Sequence, residues 1–477
     1  MRRFLIAMTA AVLALSACSG TTPTVVPATG TPAAATATAA PVATATAAAA
    51  TPTAAAETPT AAPPTETPTE PAQAVTLRVL SHANPPFNDY MTKFDAAFHE
   101  RHPNITVDHS VVAPADLATT TQSRLNANDV DVIDMFAFAN SSQPYMKDVT
   151  PPVWQSLIDA GLLMDLTGQP FLANYDASTI ADAGTYNGKV YEINLARVGF
   201  SGLYYNKKLF ADNNVTPPTT WSELVAACQT FKAASVPCIT VGGKDVWPVF
   251  VTGYGLLGSA FPDQSALVEG LWTGTIKYND AKFLDLWKKF QVLARDMIKE
   301  GASGIAADGA PGDFAAGNAA MLSGFTWLAP AIDAAAPDFE WGFINFPGSD
   351  TADDNKYLFG KYDQGWTIAA NTPNKDASLL YLSEFSDPTR YQEFVTAVGA
   401  IPTQPTATLD TTLGHEIADD LANFRIGWEL YWVAPKGAGD HALPYASFFT
   451  PFGDFDDPQA LADKAQEDLD AGLSSSQ

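Results

Sequence analysis

The segment from Arg197 to Val249, RVGFSGLYYNKKLFADNNVTPPTTWSELVAACQTFKAASVPCITVGGKDVWPV, leaves the chain few ways to fold. Gly202-Leu203-Tyr204-Tyr205 reads as an aromatic strand, and Asn206-Lys207-Lys208 as a polar turn after it. Pro217-Pro218 forbids helix at that point, because proline fixes φ and restricts the residue before it. Thr220 with Glu223 three residues on forms a capping box. Trp221, Leu224, Val225, Cys228 and Phe231 then recur at helical spacing, so one face of that helix is buried. Ile239 to Val241 predicts a second strand, which Gly242-Gly243 ends in a loop carrying Trp247. The order is β–α–β, with Trp247 beyond a strand's carboxyl end, where open α/β sheets hold ligands.

The same alternation of periods begins at Val75. Val75, Leu77 and Val79 alternate as a strand, and His82-Ala83-Asn84-Pro85-Pro86 follows as a loop. Met91, Phe94, Ala97 and Phe98 line one face of a helix. Ile105 and Val107 mark a second strand, a polar helix runs near 116–126, and Val130 to Phe136 forms a third strand running into Ala137-Phe138-Ala139-Asn140. Strand, helix, strand, helix, strand is an α/β pattern with a mainly parallel sheet. Further on, Phe283, Leu286, Trp287, Phe290, Leu293 and Met297 predict an amphipathic helix over 281–299. Asp387 and Pro388 suit the N-cap and first position of another, and a terminal helix begins at Asp457-Pro458.

None of this reaches the first 74 residues. Met1-Arg2-Arg3 and the apolar run Phe4 to Leu15 read as a secretory signal over 1–17. Leu15-Ser16-Ala17-Cys18 matches the bacterial lipobox, which predicts lipidation of Cys18 and anchoring to the outer face of the cell membrane; an ordinary signal cut nearby is the alternative. The apolar run is too short to span a bilayer. Residues 18–74 are, after Cys18, mostly Thr, Ala and Pro, with three Glu and no Lys or Arg. Such a composition packs no core and favours extended polyproline II. At about 3.1 Å per residue it reaches on the order of 150 Å, which suits a tether.

The chain carries 26 basic and 52 acidic residues, net −26. So acidic a surface repels phosphate backbones and argues against nucleic acid as a partner. Beyond Cys18, Cys228 and Cys238 stand ten residues apart. In an oxidising compartment they either pair or remain two buried thiols. No Cys/His spacing suits a metal, and the six histidines suggest no catalytic triad. Gly253-Tyr254-Gly255-Leu256-Leu257-Gly258 matches G-x-G-x-x-G, but Ser259-Ala260-Phe261-Pro262 after it is a poor helix start, so it reads as a flexible loop, not a dinucleotide site. No cofactor and no catalytic residue is expected.

Aromatic residues carry more. Phe136, Phe138, Trp247, Trp327, Trp366, Trp428 and Trp432 fall at strand ends or in loops. Aromatic faces suit the apolar faces of sugar rings, while Asp, Asn, Gln and Arg suit their hydroxyl edges.

The central segment, with its LYYNKKLF, PPTTWSEL and GGKDVWP runs, resembles the family-1 extracellular solute-binding proteins, bacterial receptors that deliver sugars to ABC importers. Three further blocks follow in that family's order. DFAAGNAAMLSGFTW resembles its Phe-Gly-Ala-Met run that ends in tryptophan, APDFEWGFINFPG its short strand before a Pro-Gly turn, and GWTIAANTPNKDASLLYLSEFSDPTRYQEF its return strand and two helices. The likeness covers nearly all of 75–477. It implies a two-lobed α/β fold of the periplasmic-binding-protein type, each lobe a mainly parallel sheet flanked by helices, joined by a hinge with crossings near 190–197, 362–366 and 420–430. Lobe 1 would comprise 75–193 with about 365–425, and lobe 2 would comprise 194–364 with about 426–477.

It further implies a carbohydrate held between the lobes, handover to ABC permease subunits by a monomeric receptor, and no catalysis. The ligand contacts it nominates are His82, Asn84, Asp134, Phe136, Asn194, Arg197, Asp245, Trp247, Phe325, Trp327, Asp363, Gln364, Trp428 and Trp432, with Trp327 as the foremost stacking platform. Many sugar-binding members carry a tryptophan soon after the first strand, where this chain has His-Ala-Asn-Pro-Pro. Other polar solutes (a polyol, a glycerophosphodiester or a polyamine) and a secreted carbohydrate-active enzyme therefore remain alternatives.

Overall fold

The computed structural model describes residues 73–136 and 141–475. The signal, Cys18, nearly all of the Thr/Ala/Pro tether and Phe138 lie outside the described residues. The strands that position the site are β1 (Val75–His82), β2 (Ile105–Val112), β3 (Val132–Phe136), β4 (Ile193–Asn194), β5 (Arg197–Gly199), β6 (Gly202–Asn206), β7 (Ile239–Thr240), β8 (Met321–Gly324), β9 (Trp341–Asn345), β10 (Leu358–Tyr362), β11 (Gln364–Ile368) and β12 (Phe424–Ile426).

They form one sheet per lobe and a connecting ribbon. The first sheet has the order β2-β1-β3-β11-β4, the second β9-β6-β8-β7, and the ribbon β12-β10-β5. In each lobe sheet every strand but one runs the same way; the reversed strands are β11 and β6. Both follow directly on a ribbon strand, β11 after β10 and β6 after β5. The chain therefore enters each lobe at the sheet edge where its neighbours end. Gln364 starts opposite Phe136 at the end of β3, and Gly202 starts opposite Gly324 and Asn345 at the ends of β8 and β9. A strand that starts at that edge can only run backwards.

This corrects the β–α–β reading of the central segment. β6 and β7 are not neighbours: β8 lies between them, antiparallel to β6 and parallel to β7. The helix between them forms as expected over Trp221–Ala233, with both bonds of the Thr220/Glu223 capping box in place. Local signals predicted the elements, but a strand entering from the ribbon decided the order.

Side chains alternate across each sheet. Leu77 and Val79 face one core and Leu80 another; Leu203 and Tyr204 part likewise. One core cluster lies under the first sheet with Leu117, Trp154 and Leu157, and another lies under the second with Trp221, Leu224 and the helix Ala281–Val292. The third is shared, taking Leu77, Val79 and Trp366 from the first sheet and Tyr204, Leu322 and Phe343 from the second. The short helix Thr412–Glu416, expected with lobe 1, lies against the second sheet's edge. There the Glu416 carboxylate accepts from the Phe343 N–H (3.1 Å) and the Lys207 ammonium (2.8 Å).

Two further expectations change. The amphipathic helix ends as α-helix at Val292 and continues as a π-turn over Leu293–Met297, which still buries Leu293 and Met297. The glycine run at 253–258 is no loop. Tyr254–Ala260 is a helix buried over Tyr254 to Ser259. A Cβ on Gly255 would lie 2.2 Å from Phe346, and one on Gly258 would lie 2.2 Å from Phe359, so glycine is required there for close packing of a helix on rings. Cys228 and Cys238 are joined in a disulfide.

Candidate functional site

At the carboxyl edge of the first sheet, β1 ends in His82 and β3 in Asp134-Met135-Phe136. Asp134 is fully buried. Its Oδ2 lies 2.5 Å from His82 Nδ1 and accepts the His82 backbone N–H at 3.2 Å. Burial pushes the His82 imidazole down, but the charge and hydrogen bond of Asp134 outweigh it, and the net shift is upward. The His82 ring is 4.8 Å from that of Phe136, which is 39% exposed and so offers a face to a ligand.

Across Phe136 stands Lys361 of β10, its ammonium 5.5 Å from the ring centroid, 3.4 Å from Asp363 and 3.7 Å from Glu429. Burial pulls the Lys361 ammonium down; the two carboxylates more than restore it. Lys361 and Glu429 escaped the sequence reading. Lys361 had a signal: it stands two residues before Asp363, on the same side of an extended chain.

Behind this edge lies a layer of buried polar groups. The Asn194 side-chain amide donates to the Gln364 carbonyl at 3.2 Å, while Asn194 Oδ1, Gln364 Nε2 and Asp134 Oδ1 have no hydrogen-bond partner. Glu192, also missed, is wholly buried; burial foremost, then the charge of Asp134, holds it well above the usual carboxylate range, against the opposing pull of the Asn194 side chain. Its carboxylate lies over Gly365, where a Cβ would come within 2.2 Å. A buried polar group left unpaired costs about 1–3 kcal/mol, so this concentration marks a place where something other than stability is served.

At the matching edge of the second sheet, β8 runs into Phe325, Thr326 and Trp327. Phe325 and Trp327 stack at 4.8 Å and 10°, and Trp247 packs 5.4 Å from Phe325 and 6.4 Å from Trp327. Trp247 follows Val246, whose φ of 63° is a conformation β-branched residues avoid. Phe325 is buried, whereas Trp247 and Trp327 keep part of their surface. Trp428 and Trp432 stack on each other at 4.6 Å; Trp428 is 1% exposed and belongs to the second-lobe core.

Thus His82, Asp134, Phe136 and Asp363 come together, as do Trp247, Phe325 and Trp327. Three nominated residues also make contacts within the framework. Arg197 donates to the Pro402 carbonyl at 3.0 Å and lies 5.2 Å over the Phe424 ring, tying the ribbon to a neighbouring loop. Asp245 accepts the Ala307 N–H at 2.7 Å. The Asn84 backbone N–H donates to the Asn88 side chain at 2.8 Å, which holds the His82 loop to its helix.

One arrangement was unforeseen. Asp95 bonds His109 Nδ1 (2.7 Å) and His109 Nε2 bonds Ser81 Oγ (2.9 Å), the connectivity of a nucleophilic triad. Ser81 is fully buried, so no substrate reaches it, and the three residues clamp the helix Pro85–Arg101 to the first sheet. Among the described residues no three His, Cys, Asp or Glu side chains converge as a metal site requires, and no helix is long and apolar enough to cross a membrane.

Two lobes, each presenting the edge of a mainly parallel sheet, joined by a three-stranded ribbon, define a two-lobed α/β binding-protein fold. The chain belongs to the bacterial extracellular solute-binding proteins, whose family model matches residues 93–424. Among curated relatives, the multiple sugar-binding protein of Streptococcus mutans is 27% identical over 282 residues, 58% of this chain and 62% of that protein. An uncharacterized ABC transporter extracellular-binding protein of Pyrococcus horikoshii is 25% identical over 181 residues, 37% of this chain and 40% of that one. The matches thus span less than two thirds of either relative. Among solved structures, the raffinose complex of the solute-binding protein RafE superposes with a TM-score of 0.68 at 20% identity, covering 84% of this chain and 100% of that one.

Proposed function

We propose that this protein captures a carbohydrate between its two lobes and hands it to the permease of an ABC importer, without catalysis. The observation that carries the reading is the pairing, at the first sheet's edge, of an exposed aromatic face with a polar rim: Phe136 flanked by His82, Lys361, Asp363 and Glu429. A sugar ring needs both. The half-buried Trp247 and Trp327 offer the same chemistry on the second sheet. The names of the Streptococcus relative and of the RafE complex point to the same class of ligand.

In this reading Cys18 is lipidated, residues 18–74 tether a monomeric receptor to the outer face of the membrane, and lobes of about 75–193 with 365–400 and 200–357 with 426–477 close on the ligand. Asn84, Asn194, Gln364 and Trp432 support the contact residues, and Arg197, Asp245 and Trp428 shape the frame. Ligand shifts the open–closed balance only by its preference for the closed form.

A thermal-shift screen of the full chain against monosaccharides, oligosaccharides, polyols, glycerophosphodiesters and polyamines tests this. A ligand at about 100 times its dissociation constant stabilises by about 2.7 kcal/mol. The expected result is a raised midpoint with a sugar that is lost in Trp327→Ala. A response only to polyamines, or release of cleaved sugar, would overturn the reading.

A further inference from the structure

Phe136 belongs to two environments. Its ring carries the Lys361 ammonium and the carboxylates around it. It also lines a cavity of about 330 Å³, a volume within the range of ligand pockets. The walls are Leu117, Met135, Trp154 and Leu157 from the first lobe, and Val433 from the chain beyond the third ribbon strand. No charged residue lines it among the described residues. Among the described lining residues the hydroxyl-bearing side chains are Thr121 and Thr150, and the Thr121 hydroxyl, in a residue 2% exposed, has no hydrogen-bond partner.

A free sugar would fit this cavity poorly. Its hydroxyls radiate around the ring, and the walls offer two hydroxyls in return, so most would be left unpaired. Water fares little better, since a well-held water needs two to four polar partners. An apolar group loses nothing on entering and leaves unfavourable water behind. The polar rim and the apolar cavity meet at one ring, so a molecule lying across Phe136 reaches both.

We infer that the cavity is a subsite for an uncharged aryl or alkyl group joined to the polar part of the ligand, so that the preferred solute is a glycoside with an apolar aglycone. This rests on the carbohydrate reading above and adds the aglycone to it. Thr121 supplies one hydroxyl inside the cavity for a polar atom on that group.

Calorimetric titration of the full chain tests the subsite, with glucose, 4-nitrophenyl β-glucoside, octyl β-glucoside, and 4-nitrophenol and octanol alone. The two glucosides should bind at least about tenfold tighter than glucose, each buried methylene adding to the gain. Ala118→Trp, on the exposed rim of the cavity, should erase that gain and leave glucose binding within about twofold. Thr121→Val is a second variant that fills no space; it should keep octyl glucoside binding and thereby show that the fold is intact. If the glucosides bind no better than glucose and neither aglycone binds, or if the gain survives Ala118→Trp, the subsite is wrong, whatever the sugars do. If the aglycones bind and Ala118→Trp abolishes it, while no carbohydrate binds, the cavity stands as an apolar site and the carbohydrate reading falls.

Discussion

His82 Nδ1 lies 2.5 Å from Asp134 Oδ2 with the imidazole 6% and the carboxylate 0% exposed. The pair joins the ends of two adjacent parallel strands beneath the exposed Phe136. The His82 pKa is raised from 6.5, with burial and Lys361 opposing and Asp134 and Asp363 prevailing. A base that gains a partner on folding contributes stability that is fully present below its unfolded value and lost as pH rises through its higher folded value. The melting midpoint of His82→Gln should therefore trail the wild type most below about pH 6.5, and the gap should narrow toward alkaline pH. A gap that is constant across the titration would mean that His82 packs there uncharged.

Glu192 has the opposite sign. Its folded-state pKa is well above 4.5 because the carboxyl is sealed from water beside Asp134, and the Asn194 side chain only partly offsets this. An acid that binds its proton more tightly when folded loses stability as pH climbs from the unfolded value toward the folded one. Glu192→Gln removes that loss at nearly constant shape. The variant should melt higher than the wild type above about pH 4.5, increasingly so toward neutrality, and no differently in acid. Equal midpoints at neutral pH would show that the Asn194 side chain offsets the whole cost of burying the Glu192 charge.

The Asn88 side chain accepts the Asn84 N–H at 2.8 Å and donates to the His82 carbonyl at 3.1 Å and to Ser81 Oγ at 3.3 Å. It thereby fixes the loop that aims His82, and beyond Ser81 the bonds run on through His109 and Asp95 to the Tyr381 hydroxyl. Asn88→Ala should cost about 1–2 kcal/mol of stability. It should also weaken binding of any ligand found in the screen, while a neutral surface control such as Thr119→Ala does neither. Unchanged affinity in a destabilised variant would confine Asn88 to folding.

The Cys228–Cys238 bond pins the middle of the capped helix to the residue before β7, closing a loop of sequence separation 10. Cross-links of this size contribute about 2–4 kcal/mol, mainly by restricting the unfolded chain. Reductant, or the paired Cys→Ser variant, should lower the melting midpoint by several degrees, and reductant should not affect the paired variant further.

Much of this was legible beforehand because it is local. The capping box at Thr220, the N-cap at Asp387 and the alternation in β1 are decided within a few residues, and the structure has all three. The errors arose where a distant strand or ring decided. β8 separates β6 from β7 although more than a hundred residues divide it from β6, and the glycines at 255 and 258 acquire their meaning only from Phe346 and Phe359. The contacts of Arg197 with Pro402 and Phe424, far along the chain, are likewise invisible to its local sequence. Lys361 reaches Phe136, and Glu429 reaches Lys361, only once three separate crossings lie side by side.

Those crossings carry a mechanical consequence. β10 is hydrogen-bonded to β5 on one side and β12 on the other, with Gly360 paired to both Gly199 and Ile426. Three loose linkers would leave two bodies free to slide, tilt and rotate about one another. A laced ribbon resists shear, because sliding breaks its whole ladder at once, yet it twists readily, as β-sheets do. Any movement of one sheet edge toward the other is therefore channelled into a single torsional coordinate. Lys361 stands on the central strand of that ribbon, beside the Phe136 ring.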